Sequence, residues 1–146
     1  MKSPLESLLP LKRWEEDEAK NLFATARRDL DMEEERLEAL ERNFSDLRAK
    51  MNFSEKEPVG IDEIKKMNAH MEHLLDLLQH QKKTVAASGK RLDEAAQILA
   101  EASKQRKTYE TVDAHRRGAE RQVQKKKEQK GMDEHAAVRY KKHYAE

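Results

Sequence analysis

Residues 19–51 read AKNLFATARRDLDMEEERLEALERNFSDLRAKM, and this stretch decides the fold. Alternating steps of four and three residues pick out ten positions, nine of them apolar, while the residues between are mostly charged. The ten are Ala19, Phe23, Ala26, Leu30, Glu33, Leu37, Leu40, Phe44, Leu47 and Met51. An apolar stripe that repeats every 3.5 residues is the core seam of a coiled coil. One helix cannot bury such a stripe alone, so the pattern predicts a partner helix.

A second seam of similar length follows and can supply that partner. It consists of Ile64, Met67, Met71, Leu74, Leu78, Gln81, Val85, Ser88, Leu92, Ala95, Leu99 and Ala102. The segment between the seams holds the helix breakers Pro58 and Gly60 and ends in a predicted N-cap, Asp62. So short a segment cannot carry the chain back along a helix of ~60 Å, so the helices must be antiparallel.

The sequence leaves the register of this hairpin open. In one alignment Phe23 faces Ser88, a small residue beside Gly89; in the other Phe23 faces Ala95. Glycine inside a helix costs about 1 kcal/mol, so we interpret Gly89 as a weak spot or a slight bend.

The two ends of the chain are less regular. Ser3, Pro4 and Glu6 form a predicted capping box with proline at the first helical position, and Pro10 is expected to kink or restart the helix. Trp14 is expected to be a packing residue. Beyond residue 102 a stripe of Tyr109, Val112, Ala119 and Val123 continues, but Arg106, Asp113 and Arg116 occupy the former seam. We expect this part to project past the hairpin, because little of the first helix remains to pair with it.

These patterns predict an all-α fold: a long antiparallel two-helix coiled-coil hairpin with a basic C-terminal helical extension. We expect one elongated domain over residues 1–146. Helix 1 spans about 4–52, a loop 53–61, and helix 2 about 62–128. The C-terminal segment, 129–146, is expected to fray or to fold on a partner, because Gly131 interrupts it and no second helix covers it.

The charge is unevenly distributed although the net charge is only +1. Residues 1–102 carry 17 basic and 22 acidic side chains, whereas residues 103–146 carry 13 basic and 7 acidic ones. A basic end on an acidic helical hairpin favours an acidic partner, or a partner that approaches the end of the hairpin.

Several function classes lack their usual signals. The Gly-Lys pair at residues 89–90 has neither the first glycine nor the Ser/Thr of a P-loop, and His70, His73 and His80 lack zinc-site spacing. Two helices also form no water-excluding pocket, so we expect neither an enzyme nor a bound cofactor. The basic run lacks interleaved aromatic residues, which argues against nucleic acid. No signal peptide or membrane-spanning run is present, so a soluble cytoplasmic protein without direct membrane insertion is expected.

Two regions together resemble the FliJ family of flagellar type III export proteins. One is Leu5-Glu-Ser-Leu-Leu9, followed by Ala19, Leu22, Ala24 and Ala26. The other is Glu128-Gln-Lys-Gly-Met-Asp-Glu134, followed by Ala136, Ala137 and Arg139. Gly131 departs from that C-terminal signature, where a helix-forming residue is commoner.

The resemblance implies a non-enzymatic stalk whose partners are the export ATPase hexamer, the cytoplasmic domain of the export gate and export chaperones. Such a stalk is similar in shape to the shaft of rotary ATPases. It inserts its paired helix ends into the ATPase ring and is peripherally associated with the inner membrane. The alternatives are a generic coiled-coil adaptor or chaperone, and the stalk of a virulence secretion system.

The resemblance also nominates site residues. The ATPase-facing set is Arg117, Arg121, Lys125, Lys126, Lys127, Glu128, Gln129, Lys130, Asp133, Glu134 and Arg139. The set for the export gate is His70, Met71 and Leu74. Met71 and Leu74 also lie on the predicted seam, and we expect both to pack in the core.

Overall fold

The computed structural model describes residues 4–54 and 60–145, which form two helices. Helix α1 spans Pro4–Ser54 and helix α2 spans Ile61–Ala145. Gly60 is the one non-helical residue of the described ranges, which makes the fold all-α as the paired seams predict. The predicted cap Ser3 and residues 55–59 of the predicted loop lie outside the described residues.

The chain divides into two compact units, and each helix contributes to both. The central unit is Asp17–Glu101. The terminal unit combines Met1–Glu16 with Ala102–Glu146. The expectation of one elongated domain stays a prediction.

The apolar core of the central unit shows that its helices are antiparallel. Ala26 from the first half of this unit's sequence is buried with Leu92 and Ala95 from its end, and Phe23 and Leu30 pack against these three residues. This cluster matches the alignment in which Phe23 faces Ala95. Large residues then lie opposite small ones, as close packing requires. The Phe23–Ser88 alignment is not the one adopted.

Burial follows both predicted seams through the central unit. All ten predicted positions of α1 are buried or half-buried, as are the α2 positions from Met67 to Leu99. Ile64 is the exception, at 45 % exposed, near the start of α2. The heptad pattern therefore identified the core of this unit correctly.

Glu33 is the polar residue of the α1 seam, and the fold brings it to Gln81, one of the two polar residues of the α2 seam. Gln81 Nε2 donates to the backbone oxygen of Glu33 at 2.9 Å and to its carboxylate Oε2 at 2.6 Å. The side chain of Glu33 is only 17 % exposed. A polar group this shielded from water is costly unless it is hydrogen-bonded, and here each residue satisfies the other.

The helix ends differ from the sequence-based boundaries. α1 continues through Pro10, although proline removes one backbone hydrogen bond. Asp62 is not the N-cap of α2: the helix begins one residue earlier, and Ile64 N donates to the carbonyl oxygen of Gly60 at 3.2 Å. Asp62 lies in the first turn, where its charge favours the helix dipole. α2 also continues through Gly131 to Ala145 rather than ending near residue 128.

Pairing in the terminal unit extends further along α2 than expected. Residues 4–16 of α1 contact α2 as far as Arg116, so pairing does not stop at Ala102. Residues 119–143 of α2, which we call the extension, are all exposed. The predicted apolar stripe is not buried, since Val112 is 46 % exposed and Val123 is 53 % exposed. The positions that continue the α2 seam beyond Ala102 face α1 instead, and three of them carry the polar residues Arg106, Asp113 and Arg116.

Candidate partner-binding surfaces

The terminal unit buries two carboxylates at positions where a coiled coil is normally apolar. Glu16 of α1 is 6 % exposed and Asp113 of α2 is 5 % exposed. Burying an unpaired carboxylate is strongly unfavourable, so each of them requires a cationic partner. Arginines supply that partner in both cases.

Arg106 of α2 binds the first of these carboxylates. Its Nε donates to both oxygens of Glu16 at 3.1 Å, and its Nη1 donates to Glu110 at 2.9 Å. Glu110 forms a longer ion pair, 3.5 Å, with Nε of Arg13 on α1. These four residues form a chain of alternating charge that crosses twice between the helices.

Arg116 of α2 binds the second buried carboxylate, that of Asp113. Its Nη2 donates to Asp113 at 3.1 Å and to Glu6 of α1 at 2.9 Å. Arg117 Nε lies 3.1 Å from the other oxygen of Asp113. Asp113 is therefore shared by two guanidinium groups, while Glu6 carries the contact to α1.

Lys12 occupies the space between these two arginine clusters along α1. Its Nζ donates to Gln105 Oε1 at 2.8 Å, pairs with Glu15 at 3.3 Å and lies 5.4 Å from the ring centroid of Tyr109. The last contact is within cation–π range. A lysine thus contributes both polar and aromatic contacts to the seam.

Hydrogen bonding stabilises the charged form of both central arginines. The bond to Glu16, followed by the bond to Glu110, raises the pKa of Arg106 above its ordinary value. The bond to Glu6, followed by the bond to Asp113, raises the pKa of Arg116 in the same way. Both guanidinium groups therefore stay charged at every physiological pH, and ionic strength is the condition that changes these contacts.

The predicted ATPase-facing residues are all exposed, and ten of the eleven lie on the extension of α2. Between Ala119 and His143 every residue is exposed, with eight basic and four acidic side chains. Arg117 lies just before the extension and Arg121 just inside it. Both line one open groove together with Leu9 and Arg13 of α1. The structure thus gathers the N-terminal turns and the first predicted arginines on one surface.

The predicted gate residues are divided between surface and core. Leu74 is 5 % exposed and belongs to the seam, Met71 is half-buried and His70 is exposed. The neighbouring Leu75 is 43 % exposed and lies four residues from Met71, so these two share a helix face. The heptad pattern placed Leu74 on the seam, where it is buried, and the resemblance that nominated Leu74 for the gate did not nominate Leu75. Trp14, expected to pack, is 59 % exposed.

The polar contacts across the terminal unit were also missed from the sequence. Arg106, Asp113 and Arg116 were recognised as departures from an apolar seam, which suggested a change of register. The available signal was the pair of acidic residues on α1, Glu6 and Glu16, ten residues apart like the two arginines.

Comparison with known proteins identifies the family. The profile described as "Flagellar FliJ protein" matches residues 1–144, almost the entire chain. The chain belongs to the FliJ family. FliJ-family membership makes it a type III export-related protein, in a family whose members are structural and not enzymatic.

The other comparisons add the fold alone. No curated protein matched this FliJ-family chain. Among solved structures it resembles CT670 from Chlamydia trachomatis, described as a homolog of YscO. The two chains are 21 % identical, with a TM-score of 0.50, and the match covers 100 % of this chain and 99 % of the other.

Two kinds of feature are absent from residues 4–54 and 60–145. Neither helix contains a stretch apolar enough to cross a membrane. The same residues contain no group of three or more His, Asp or Glu side chains arranged to hold a metal ion.

Proposed function

We propose that this FliJ-family protein is the non-enzymatic coiled-coil stalk of the flagellar type III export apparatus. In this role it inserts into the export ATPase ring and links the ring to the export gate and to export chaperones. The observation that carries the proposal is the family match over residues 1–144 together with the antiparallel pairing of α1 and α2. A pair of helices is narrow enough to enter a ring pore, and ATP chemistry would belong to the ring.

The proposed ATPase contact is the basic extension of α2 with the N-terminal turns of α1. Exposure and charge support this choice: residues 119–143 are all exposed, and their basic side chains outnumber the acidic ones by two to one. An acidic ring surface would attract such a segment. Lys125, Lys126 and Lys127 form its most concentrated charge.

The proposed contact with the export gate is narrower than the three residues first nominated. His70 and Met71 are accessible, whereas Leu74 contributes to the core. A partner that binds this face would meet Met71 and Leu75 together. Replacing Leu75 with Ser would then weaken gate binding without the loss of stability expected for Leu74→Ser.

The location follows from these partners. We propose a cytoplasmic protein that is peripherally associated with the inner membrane through the export apparatus. Export chaperones remain proposed partners, and nucleic acid is not proposed.

The test is stimulation of ATP hydrolysis by the flagellar export ATPase hexamer, measured with and without the full chain at low salt. Replacing all three lysines, K125Q/K126Q/K127Q, should reduce stimulation and pull-down at least fivefold. The matched control is K82Q/K83Q, which removes exposed charge from the central unit and should leave both unchanged.

Two outcomes would count against the stalk. Absence of stimulation by the unmodified chain would favour a generic adaptor or chaperone. Equal losses in the control variant would mean that total charge, and not the α2 extension, governs binding.

A further inference from the structure

Residues 4–16 of α1, which we call the latch, carry charged side chains at seam positions that are mostly apolar in the central unit. Leu9, at 7 % exposed, is the one buried apolar side chain among the described residues of the terminal unit, while Leu5 and Leu8 are half-buried. Polar contacts with α2 come from Glu6, Lys12, Arg13 and Glu16. Lys12 and Glu16 occupy the two heptad positions before Ala19, so the apolar seam is interrupted in the latch.

The latch covers a specific face of α2. Arg106 and Arg116 lie ten residues apart on α2, and their carboxylate partners Glu16 and Glu6 lie ten residues apart on α1. Ten helical residues span about 15 Å, or nearly three turns. Between the two contacts, Leu9 supplies apolar burial. A helical segment with two carboxylates at this spacing and a leucine between them is thus the ligand that this face accepts.

Opening the latch requires little disruption. The ion pairs attract less strongly as salt rises, and detaching the latch returns the buried Glu16 and Asp113 to water, which recovers the desolvation cost of burying them. Pro10 removes one backbone hydrogen bond from the latch itself. Opened α2 would expose Arg106, Tyr109 and Arg116 next to a segment that is already exposed and basic.

We propose that the latch detaches, and that an acidic helical segment of a partner protein replaces it on the Arg106–Arg116 face of α2. A protein helix fits this face better than a polyphosphate chain, because Glu110 and Asp113 place two carboxylates among the arginines. Closely spaced phosphates would place several further negative charges beside these two carboxylates, whereas Glu6 and Glu16 bring one carboxylate to each arginine. This inference rests on contacts within the terminal unit and needs no export component.

The chain has no cysteine, so spin labels can be attached at chosen positions of the full-length protein. One pair, S7C/H115C, reports on the latch from two exposed positions of the terminal unit. The control pair, T25C/E94C, reports on the central unit in the same way. Distances are measured by pulsed electron spin resonance.

The first measurement changes only the salt. Between 50 and 500 mM NaCl, the fraction of S7C/H115C molecules with a longer distance should rise at least threefold, while T25C/E94C stays unchanged. In E16L/R106L, which replaces the buried ion pair with an apolar pair, the distance should be short at both salts. Circular dichroism is the check that this variant is as helical as the unmodified protein. If S7C/H115C molecules without the E16L/R106L change show a single short distance at 500 mM NaCl, the proposal that the latch detaches is wrong.

The second measurement adds a probe at 50 mM NaCl: a synthetic peptide with the sequence of residues 4–16, at 1 mM. It should raise the fraction of open latch at least threefold, and the same peptide with E6Q/E16Q should not. Equal opening by the Gln peptide would overturn the carboxylate requirement. Equal opening by oligodeoxythymidylate of the same charge would overturn the protein partner in favour of a phosphate-binding surface.

Discussion

The central and terminal units are built from the same two helices but are held together differently. The central unit buries Ala19, Ala26, Leu74, Leu78, Leu92 and Ala95. Among the residues that the structure describes, the terminal unit buries one leucine and two carboxylates, with arginines and a lysine around them. Both regions are pairs of α-helices. They differ in the residues at the seam positions, which are mostly apolar in the central unit and partly charged in the terminal unit.

This difference teaches what each kind of seam can supply. Apolar burial is non-directional and insensitive to salt, so it stabilises a pair of helices under most conditions. Guanidinium–carboxylate contacts are directional, and they specify a partner and an alignment more than they add stability. A protein that must both persist and exchange contacts can use one seam for each purpose.

The largest effect should come from the centre of the apolar cluster. Leu92→Ala leaves a cavity beside Ala26 and Ala95, and we expect the free energy of unfolding to fall by about 2–4 kcal/mol. The measurement is urea unfolding followed by circular dichroism. Ile98→Ala, six residues away but 51 % exposed, is the matched control and should cost less than about 1 kcal/mol. Equal losses would mean that the cluster is not the main source of stability.

The same substitution in the terminal unit should cost less. Leu9 is as buried as Leu92, but the free energy lost on Leu9→Ala cannot exceed that needed to detach the latch, and we expect about 1 kcal/mol or less. Its main effect should be faster amide exchange in residues 8–16 with residues 23–47 unchanged. A loss as large as that of Leu92→Ala would show that the two units unfold as one.

The sequence predicted the central unit well because its stability comes from apolar residues at a regular spacing. Periodicity identified Phe23, Ala26, Leu92 and Ala95, but it could not choose their alignment, since both registers place apolar residues in contact. The choice depends on how large and small side chains fit together across the two helices, which only the packed structure shows.

The terminal unit was predicted less well for a related reason. A charged residue at a seam position, such as Arg106, normally indicates that the seam has ended. Its partner Glu16 is 90 residues away, and only the folded chain brings the two together. At the proposed gate-binding surface, heptad spacing correctly placed Leu74 on the seam and Leu75 off it, whereas the family resemblance nominated the buried Leu74.

Replacing glycines should have a smaller effect, and one glycine from each unit can be compared. A Cβ added at Gly89 or Gly131 meets no atom within 4 Å, and neither residue has a positive φ. Gly89→Ala should therefore raise the free energy of unfolding by about 0.5–1 kcal/mol, since alanine loses less backbone entropy in a helix. Gly131→Ala should raise local helicity only, because it lies in the exposed extension. Urea unfolding and amide exchange, respectively, measure the two effects; a loss of stability at Gly89 would contradict the open space around it.

The smallest expected effect is that of pH on the latch. The raised pKa of Arg106 and of Arg116 means that their stabilisation is complete below the ordinary pKa of arginine. It is lost only when the pH rises through the raised value, far above the physiological range. At constant ionic strength the S7C/H115C distances should therefore be the same at pH 7 and pH 9. Opening at pH 9 would show that some other group controls the latch.

The hydrogen bonds between Gln81 and Glu33 limit how the two helices can slide. Sliding one helix by seven residues would restore most apolar contacts, since the heptads on both sides repeat. It would also separate the amide from the carboxylate and leave both partly shielded from water without these bonds. This polar layer therefore favours one register of the central unit over the heptad-shifted alternatives.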